Sequence, residues 1–152
     1  MCIAFLKRAI FLSFVSCLCW ASVGSAGAEI VARDIRIGVH KSKTRVVLDL
    51  TTNVKFTIFA LADPYRIVLD LPDIRWQVPA AAARRNGGLI AGLRYGQYQP
   101  GKSRVVLDLR APGTVGKSFM LPPGEGYGPR LVIDIKNVSR KAFLASIRPP
   151  AK

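Results

Sequence analysis

The sequence predicts an all-β protein, a duplicated β-sandwich of two related four-stranded sheets preceded by an N-terminal signal peptide. The first observation behind this prediction is a repeat, since Arg-Val-Val-Leu-Asp-Leu occurs at 45–50 and again at 104–109. A repeat of this kind dictates the architecture before single residues are interpreted. The second is that short runs of Val, Ile and Leu alternate with turn residues from residue 29 onward, without sustained helical spacing. That pattern is typical of strands.

The first 28 residues have the features of a secretory signal peptide. Two basic residues near the start are their only charges, an apolar run follows over 9–23, and Ala26-Gly-Ala28 offers small residues for cleavage, as in export signals. A single-span anchor and a lipoprotein attached through Cys17 are the alternatives. We expect an exported chain that begins near Glu29 and meets the membrane only through its leader, before cleavage.

Cysteine content and charge limit the partners of the exported chain. All three cysteines lie inside the leader, so the mature chain is expected to have neither a disulfide nor a thiolate metal site. Without Lys7 and Arg8 it keeps 21 basic residues against 9 acidic ones, a formal charge of +12. An anionic partner is therefore expected. Outside the cytosol this partner is a wall carboxylate, a lipid phosphate or an acidic polysaccharide, and no nucleic acid is expected.

The two repeats divide residues 29–137 into eight predicted strands. The first repeat, about 31–71, and the second, about 89–137, have strands near 31–39, 44–51, 54–61, 66–71, 89–98, 102–110, 115–121 and 130–137. Turn residues such as Asp63-Pro64 and Gln99-Pro-Gly101 separate them.

Two further segments are predicted to lie outside the strands. A crossing segment, 72–88, joins the repeats, and its alanines are compatible with one helical turn. Residues 138–152 are expected to form a tail or linker, because Pro149-Pro150 suits an extended spacer.

Strand periodicity assigns the faces, because successive side chains point to opposite sides of a strand. The motif occurs in two weaker copies as well, at 66–71 and 130–135. We expect twelve of its apolar side chains to point inward and form the core: Val46, Leu48, Leu50, Ile67, Leu69, Leu71, Val105, Leu107, Leu109, Leu131, Ile133 and Ile135. Two sheets packed face to face bury these side chains, whereas a lone sheet leaves them wet.

The outward faces carry an Arg and an Asp from each copy of the motif. Within one strand the two residues are roughly 13 Å apart, too far to pair. In one interpretation, Arg and Asp of neighbouring strands form ion pairs that fix the register. In the other, some arginines stay free to hold ligand carboxylates. Both interpretations remain open from the sequence.

Three residues outside the four motif copies complete the candidate ligand-binding set. Arg36 and Arg94, like Lys102, have no matching acid in the pattern, and Tyr98 is a candidate for stacking on sugar rings. Tyr95 and Trp76 are expected to pack against the core instead. The candidate set is Arg45, Asp49, Arg66, Asp70, Arg104, Asp108, Arg130, Asp134, Arg36, Arg94 and Tyr98.

No catalytic or metal-binding set can be assembled from the mature sequence. A zinc hydrolase needs several His and carboxylate ligands around an open position, and the chain has one histidine, His40, at a strand end where an exposed side chain is expected. A Cys/His or Ser/His/Asp set lacks its partners as well. We therefore expect no catalytic residue, metal or cofactor.

Together these motifs resemble the AMIN domain, the non-catalytic N-terminal module of periplasmic N-acetylmuramoyl-L-alanine amidases. The resemblance covers about 31–137 and rests on the segments 35–38, 45–50, 63–72, 93–96, 103–109 and 130–135. It implies two symmetrical four-stranded sheets that each expose a motif. It also implies a periplasmic role in binding peptidoglycan (murein) and in directing an amidase to the division septum.

The resemblance leaves two hypotheses about function. In those amidases a zinc-dependent catalytic domain follows the AMIN domain, whereas this chain ends at Lys152, so we expect a stand-alone AMIN module or a truncated amidase, in either case without enzymatic activity of its own. AMIN domains also occur in secretins. A protein-docking module of a secretin or other envelope complex, with envelope or divisome proteins as partners, is therefore the alternative.

Overall fold

The computed structural model describes residues 28–147. The predicted signal peptide up to residue 27 and the Pro149-Pro150 spacer lie outside this range. The described chain is built of strands β1 (Val31–His40), β2 (Lys43–Leu50), β3 (Thr57–Leu61), β4 (Arg66–Pro72), β5 (Arg75–Trp76), β6 (Ile90–Gln99), β7 (Lys102–Leu109), β8 (Gly113–Leu121) and β9 (Arg130–Asn137), with a 3-10 helix (Ala80–Arg84) and a short helix α1 (Arg140–Ser146).

Two sheets pack as a sandwich, which confirms the predicted all-β class. Their strand orders are β5-β1-β2-β9-β8 and β3-β4-β7-β6. Each sheet therefore combines two adjacent strands of one repeat with two of the other, and the central pairs β2/β9 and β4/β7 join copies of the same motif. The fifth strand is the one departure from two four-stranded sheets. It comes from the crossing segment and pairs in parallel with the start of β1.

The core consists of the alternate side chains that periodicity assigns to the inner faces. All twelve predicted core residues are buried, none of them more than 7 % exposed, and they belong to one apolar cluster. Burying a Leu or Ile side chain contributes roughly 1.5–3 kcal/mol. The four motif copies thus supply much of the stability as well as the outward charges.

The crossing segment covers the side of the sandwich between β1 and β6. Its alanines form the 3-10 helix, which packs against both strands and buries Ala82 completely. Arg85, just after this helix, pairs with Asp34 of β1 at 2.6 Å. Nearby the rings of Trp76 and Tyr95 contact each other in a tilted arrangement, with their centroids 4.8 Å apart, and both pack against the core, as predicted.

Part of the predicted tail or linker after β9 is helical. Residues 140–146 form α1, whose first turn is capped by the Ser139 hydroxyl accepting from the Ala142 N–H at 3.2 Å. Phe143 is fully buried and packs edge-on against Tyr65 at 5.0 Å. Phe143 is the buried residue of α1 and packs the helix onto the sandwich. No helix within residues 28–147 is long and apolar enough to cross a membrane.

Candidate functional site: two outward faces

The outward sides of the two sheets carry the repeated charges. We call the outward side of the five-stranded sheet face A and that of the four-stranded sheet face B. Along β2 and β7 the residues alternate between buried and partly exposed, which turns Arg and Asp outward as predicted. Face A carries Arg36, Arg45, Asp49, Arg130 and Asp134, and face B carries Arg66, Asp70, Arg94, Arg104 and Asp108.

The centre of face A is an ion pair between β2 and β9. Arg45 lies directly opposite Asp134 and donates to it through Nε and Nη2, at 2.7 and 2.9 Å. Lys43 Nζ adds a third hydrogen bond at 2.8 Å, a contact that the motif pattern did not predict. Asp134 is only 2 % exposed. The hydrogen bond from Arg45, followed by that from Lys43, outweighs burial and holds the pKa of Asp134 far below its usual range.

Face B repeats this pair between β7 and β4. Arg104 lies opposite Asp70 and donates to it through Nε and Nη2, at 2.6 and 2.9 Å. The hydrogen bond to Asp70 raises the pKa of Arg104. The Tyr98 ring packs on the same guanidinium, 3.9 Å from Cζ to the ring centroid. For Arg45 and Arg104 the cross-strand ion-pair interpretation is therefore confirmed.

The other two aspartates pair with the residues that seemed to lack an acid. Asp49 accepts from Arg36 at 2.7 Å, and Asp108 from Arg94 at 2.8 and 3.1 Å. The expectation that Arg36 and Arg94 have no matched acid was wrong. Asp49 and Asp108 each have an arginine on both neighbouring strands. The prediction missed these pairs because it matched Arg and Asp only within the motif copies.

Two arginines remain outside these ion pairs, because six arginines meet four aspartates on the two faces. Arg66 lies opposite Asp108 and Arg130 opposite Asp49, but both carboxylates are taken. Neither arginine has an ion pair within residues 28–147. Arg66 Nε donates weakly to the Pro64 carbonyl at 3.3 Å, whereas Arg130 Nε is buried without an acceptor among the described residues.

Tyr127 is a residue of face A that sequence reasoning missed. It lies in the loop 122–129, is 51 % exposed, and has the guanidinium carbons of Arg36 and Arg130 at 5.6 and 5.2 Å from its ring centroid. These distances are within the range of cation–π attraction. The signal available in the sequence was length, since the loop before β9 (122–129) is longer than the equivalent loop before β4 (62–65).

A shallow groove of about 270 Å³ follows from this arrangement on face A. Three guanidinium groups line it, those of Arg36, Arg45 and Arg130, over a floor that includes Val47 and Val132. The arrangement combines an apolar surface with one cation that has no counter-ion in the described part of the chain. A planar anionic group such as a carboxylate is what a guanidinium binds in two-point fashion.

The one histidine of the chain, His40, is exposed at the end of β1, as predicted. Across the described range, no three His, Cys, Asp or Glu side chains lie close enough together to hold a metal ion.

The fold and the two faces define the class of this chain: a duplicated all-β module with the same Arg and Asp pattern on both outward faces. The AMIN domain family matches residues 34–118, more than half of the chain, and the chain belongs to this family.

Two curated relatives extend the match. The chain is 31 % identical over 115 residues to the N-acetylmuramoyl-L-alanine amidase AmiC of Escherichia coli O6:H1, covering 73 % of this chain and 27 % of the relative. It is 32 % identical over 104 residues to the AmiC of Neisseria meningitidis serogroup B, covering 66 % of this chain and 25 % of the relative. The chain thus spans about a quarter of the length of these relatives.

Proposed function

We propose that this chain is a non-catalytic peptidoglycan-binding module that acts in the periplasm and localises a cell-wall amidase. Membership of the AMIN family supports the proposal, since the AMIN domain is the non-catalytic part of amidases. Both relatives are named for hydrolysis of the N-acetylmuramoyl-L-alanine bond of peptidoglycan. The excess of basic residues also suits the carboxylates of the wall.

The observation that carries the proposal is the arginine outside the ion pairs on each face. Arg45 and Arg104 are each held by two hydrogen bonds to an aspartate, so their first role is to join the two repeats. Arg66 and Arg130 occupy equivalent positions and keep their charge available. In the groove of face A, Arg130 binds a stem-peptide carboxylate, and the partly exposed Val47 contacts the methyl groups beside it.

Co-sedimentation with purified sacculi tests this assignment. We expect Arg66→Ala/Arg130→Ala to lose most of the bound fraction while its melting temperature stays close to that of the wild type, because neither arginine contributes an ion pair to the described fold. Arg84→Ala/Lys141→Ala is the matched control. It removes two exposed cations from the 3-10 helix and from α1, outside both faces, and is expected to bind like the wild type. Equal losses of the bound fraction in the two variants would show that net charge alone accounts for the binding.

A second candidate function, protein docking, is favoured by one feature of the sandwich edge. β3 and β8 are edge strands, and a groove of about 250 Å³ lies between them, with a mixed lining that includes Ile58, Phe59, Val115 and Ser118. An exposed edge can accept a partner strand, for example from a secretin or another envelope protein. Failure of the wild-type protein to sediment with sacculi, together with a membrane-protein partner that is captured by crosslinking and lost on mutation of Val115, would favour this function.

A further inference from the structure

A second groove lies at one end of face B, beside the Arg104 and Asp70 pair. It measures about 420 Å³ and is lined by Lys55, Phe56, Thr57, Asp70, Leu71, Pro72, Tyr98, Gly101 and Lys102. We call it the lysine groove. Both lysines are exposed, and neither takes part in an ion pair within the described residues.

The two faces differ at this end, and the difference leaves the lysines uncompensated. On face A the first residue of β2, Lys43, binds Asp134 at 2.8 Å. On face B the equivalent first residue of β7 is Lys102, but the equivalent acid, Asp70, accepts from Arg104 and faces the Tyr98 hydroxyl at 3.5 Å. Asp70 is the one acid in the groove, and Arg104 already neutralises it. The groove is therefore cationic.

The rest of the lining suits a compact ring rather than a bare ion. Phe56, Leu71 and Pro72 provide apolar surface, and Arg104 packs on the Tyr98 ring at 3.9 Å. This contact limits the motion of the Tyr98 ring. Ligand sites usually combine such an apolar lining with a few well-placed polar groups.

We propose that the lysine groove binds a pyranose that carries a free carboxylate, with the sugar ring against Tyr98 and the carboxylate at Lys102 and Lys55. This proposal rests on the proposed function and specifies which part of peptidoglycan face B binds. Hydrolysis of an N-acetylmuramoyl-L-alanine amide breaks the C–N bond. Water supplies OH to the acyl carbon and H to the amine, so the sugar keeps a free carboxylate. The groove then favours glycan strands whose peptides have been removed.

NMR titration of the protein purified after export tests the site with free sugars. N-acetylmuramic acid carries the carboxylate, and N-acetylglucosamine is the matched sugar without it. We expect N-acetylmuramic acid to shift the resonances of Tyr98, Gly101 and Lys102, and to bind about tenfold more tightly than N-acetylglucosamine, since a hydrogen bond to a charged group is worth about that factor or more. Equal affinity for the two sugars would overturn the proposal.

Variants separate the carboxylate from the ring. Lys55→Gln/Lys102→Gln is expected to lower the affinity for N-acetylmuramic acid about tenfold. The control Lys41→Gln/Lys141→Gln, which changes two exposed lysines elsewhere, is expected to leave this affinity unchanged. Tyr98→Phe keeps the ring and should bind, and Tyr98→Ala should not. Unchanged affinity in the first variant contradicts the site. Failure of the proposed function appears separately, as a wild-type protein that does not sediment with sacculi, whatever the sugars do.

Discussion

Asp134 stabilises the fold and is also part of the charge pattern of face A. Within the described part of the chain it is the one charged side chain that is buried, and it accepts hydrogen bonds from Arg45 and Lys43. Removing one partner of a buried ion pair leaves the other charge uncompensated, which costs more than the pair contributes. Asp134 therefore fixes the register of β2 on β9.

Asp134→Asn should destabilise the protein by about 1.5–3 kcal/mol at neutral pH, because hydrogen bonds to charged groups are worth that much. Urea denaturation measures the change. Asp73→Asn is the control, since Asp73 is exposed and has no ion pair among the described residues. A loss of similar size in both variants would contradict the role given to Asp134.

The same carboxylate predicts how stability depends on acid. Its pKa in the folded protein is lowered by Arg45 and Lys43, whereas in the unfolded chain it is about 3.9. As the pH falls, the unfolded chain takes up the proton first. The stabilisation is complete well above pH 4 and is lost as the pH falls through about 4 toward the folded-state pKa. The gap in unfolding free energy between wild type and Asp134→Asn should therefore narrow between about pH 5 and pH 3.

The sequence predicted which side chains face outward, but not how the surface charges pair. Strand alternation correctly turned every motif arginine and aspartate outward. It could not say which arginine each aspartate binds, because Asp49 and Asp108 each lie between arginines of two strands. That choice depends on side-chain geometry across the sheet, as does the packing of Tyr127 on Arg36 and Arg130.

At the scale of elements, β7 illustrates why the strands were predictable. Its residues alternate strictly between buried and partly exposed from Ser103 to Leu109, so the sequence pattern and the sheet agree. α1 was not predictable as a packed element. Its residues 140–146 are too few for a clear helical period, and its docking depends on Phe143 alone among its residues being buried.

Leu107→Ala should cost about 2–5 kcal/mol, the usual range for a buried Leu, because Leu107 is completely buried. Val106→Ala on the same strand is the control, since its side chain lies on face B and is partly exposed. The loss expected there is about 1 kcal/mol or less. Thermal unfolding compares the two variants, and a reversed order would place the wrong face of β7 in the core.

Phe143→Ala should release α1 from the sandwich, because it removes the buried side chain that meets Tyr65. Amide hydrogen exchange over 140–146 is expected to become fast, while exchange in β2 and β7 remains slow. Leu144→Ala, which changes a residue that is 44 % exposed on the same helix, serves as the control. Fast exchange in α1 of the wild type would show that Phe143 does not hold the helix.

At the scale of the whole molecule, the duplication was visible in the sequence but the exchange of strands was not. Because all four motif copies have nearly the same pattern, β2 could pair with β4 of its own repeat or with β9 of the other without changing which faces are buried. The structure pairs β2 with β9 and β4 with β7. Arg45 and Arg104 therefore join one repeat to the other, and both outward faces contain residues of both repeats.

The most direct test of the account is an NMR map of soluble peptidoglycan fragments that retain their stem peptides, added to the protein purified after export. The largest shifts are expected in the groove of face A, at Arg36, Val47 and Arg130, with smaller shifts in the core and at the edge strands. Shifts concentrated on β3 and β8, or no shifts at saturating fragment, would contradict recognition of peptidoglycan by the outward faces.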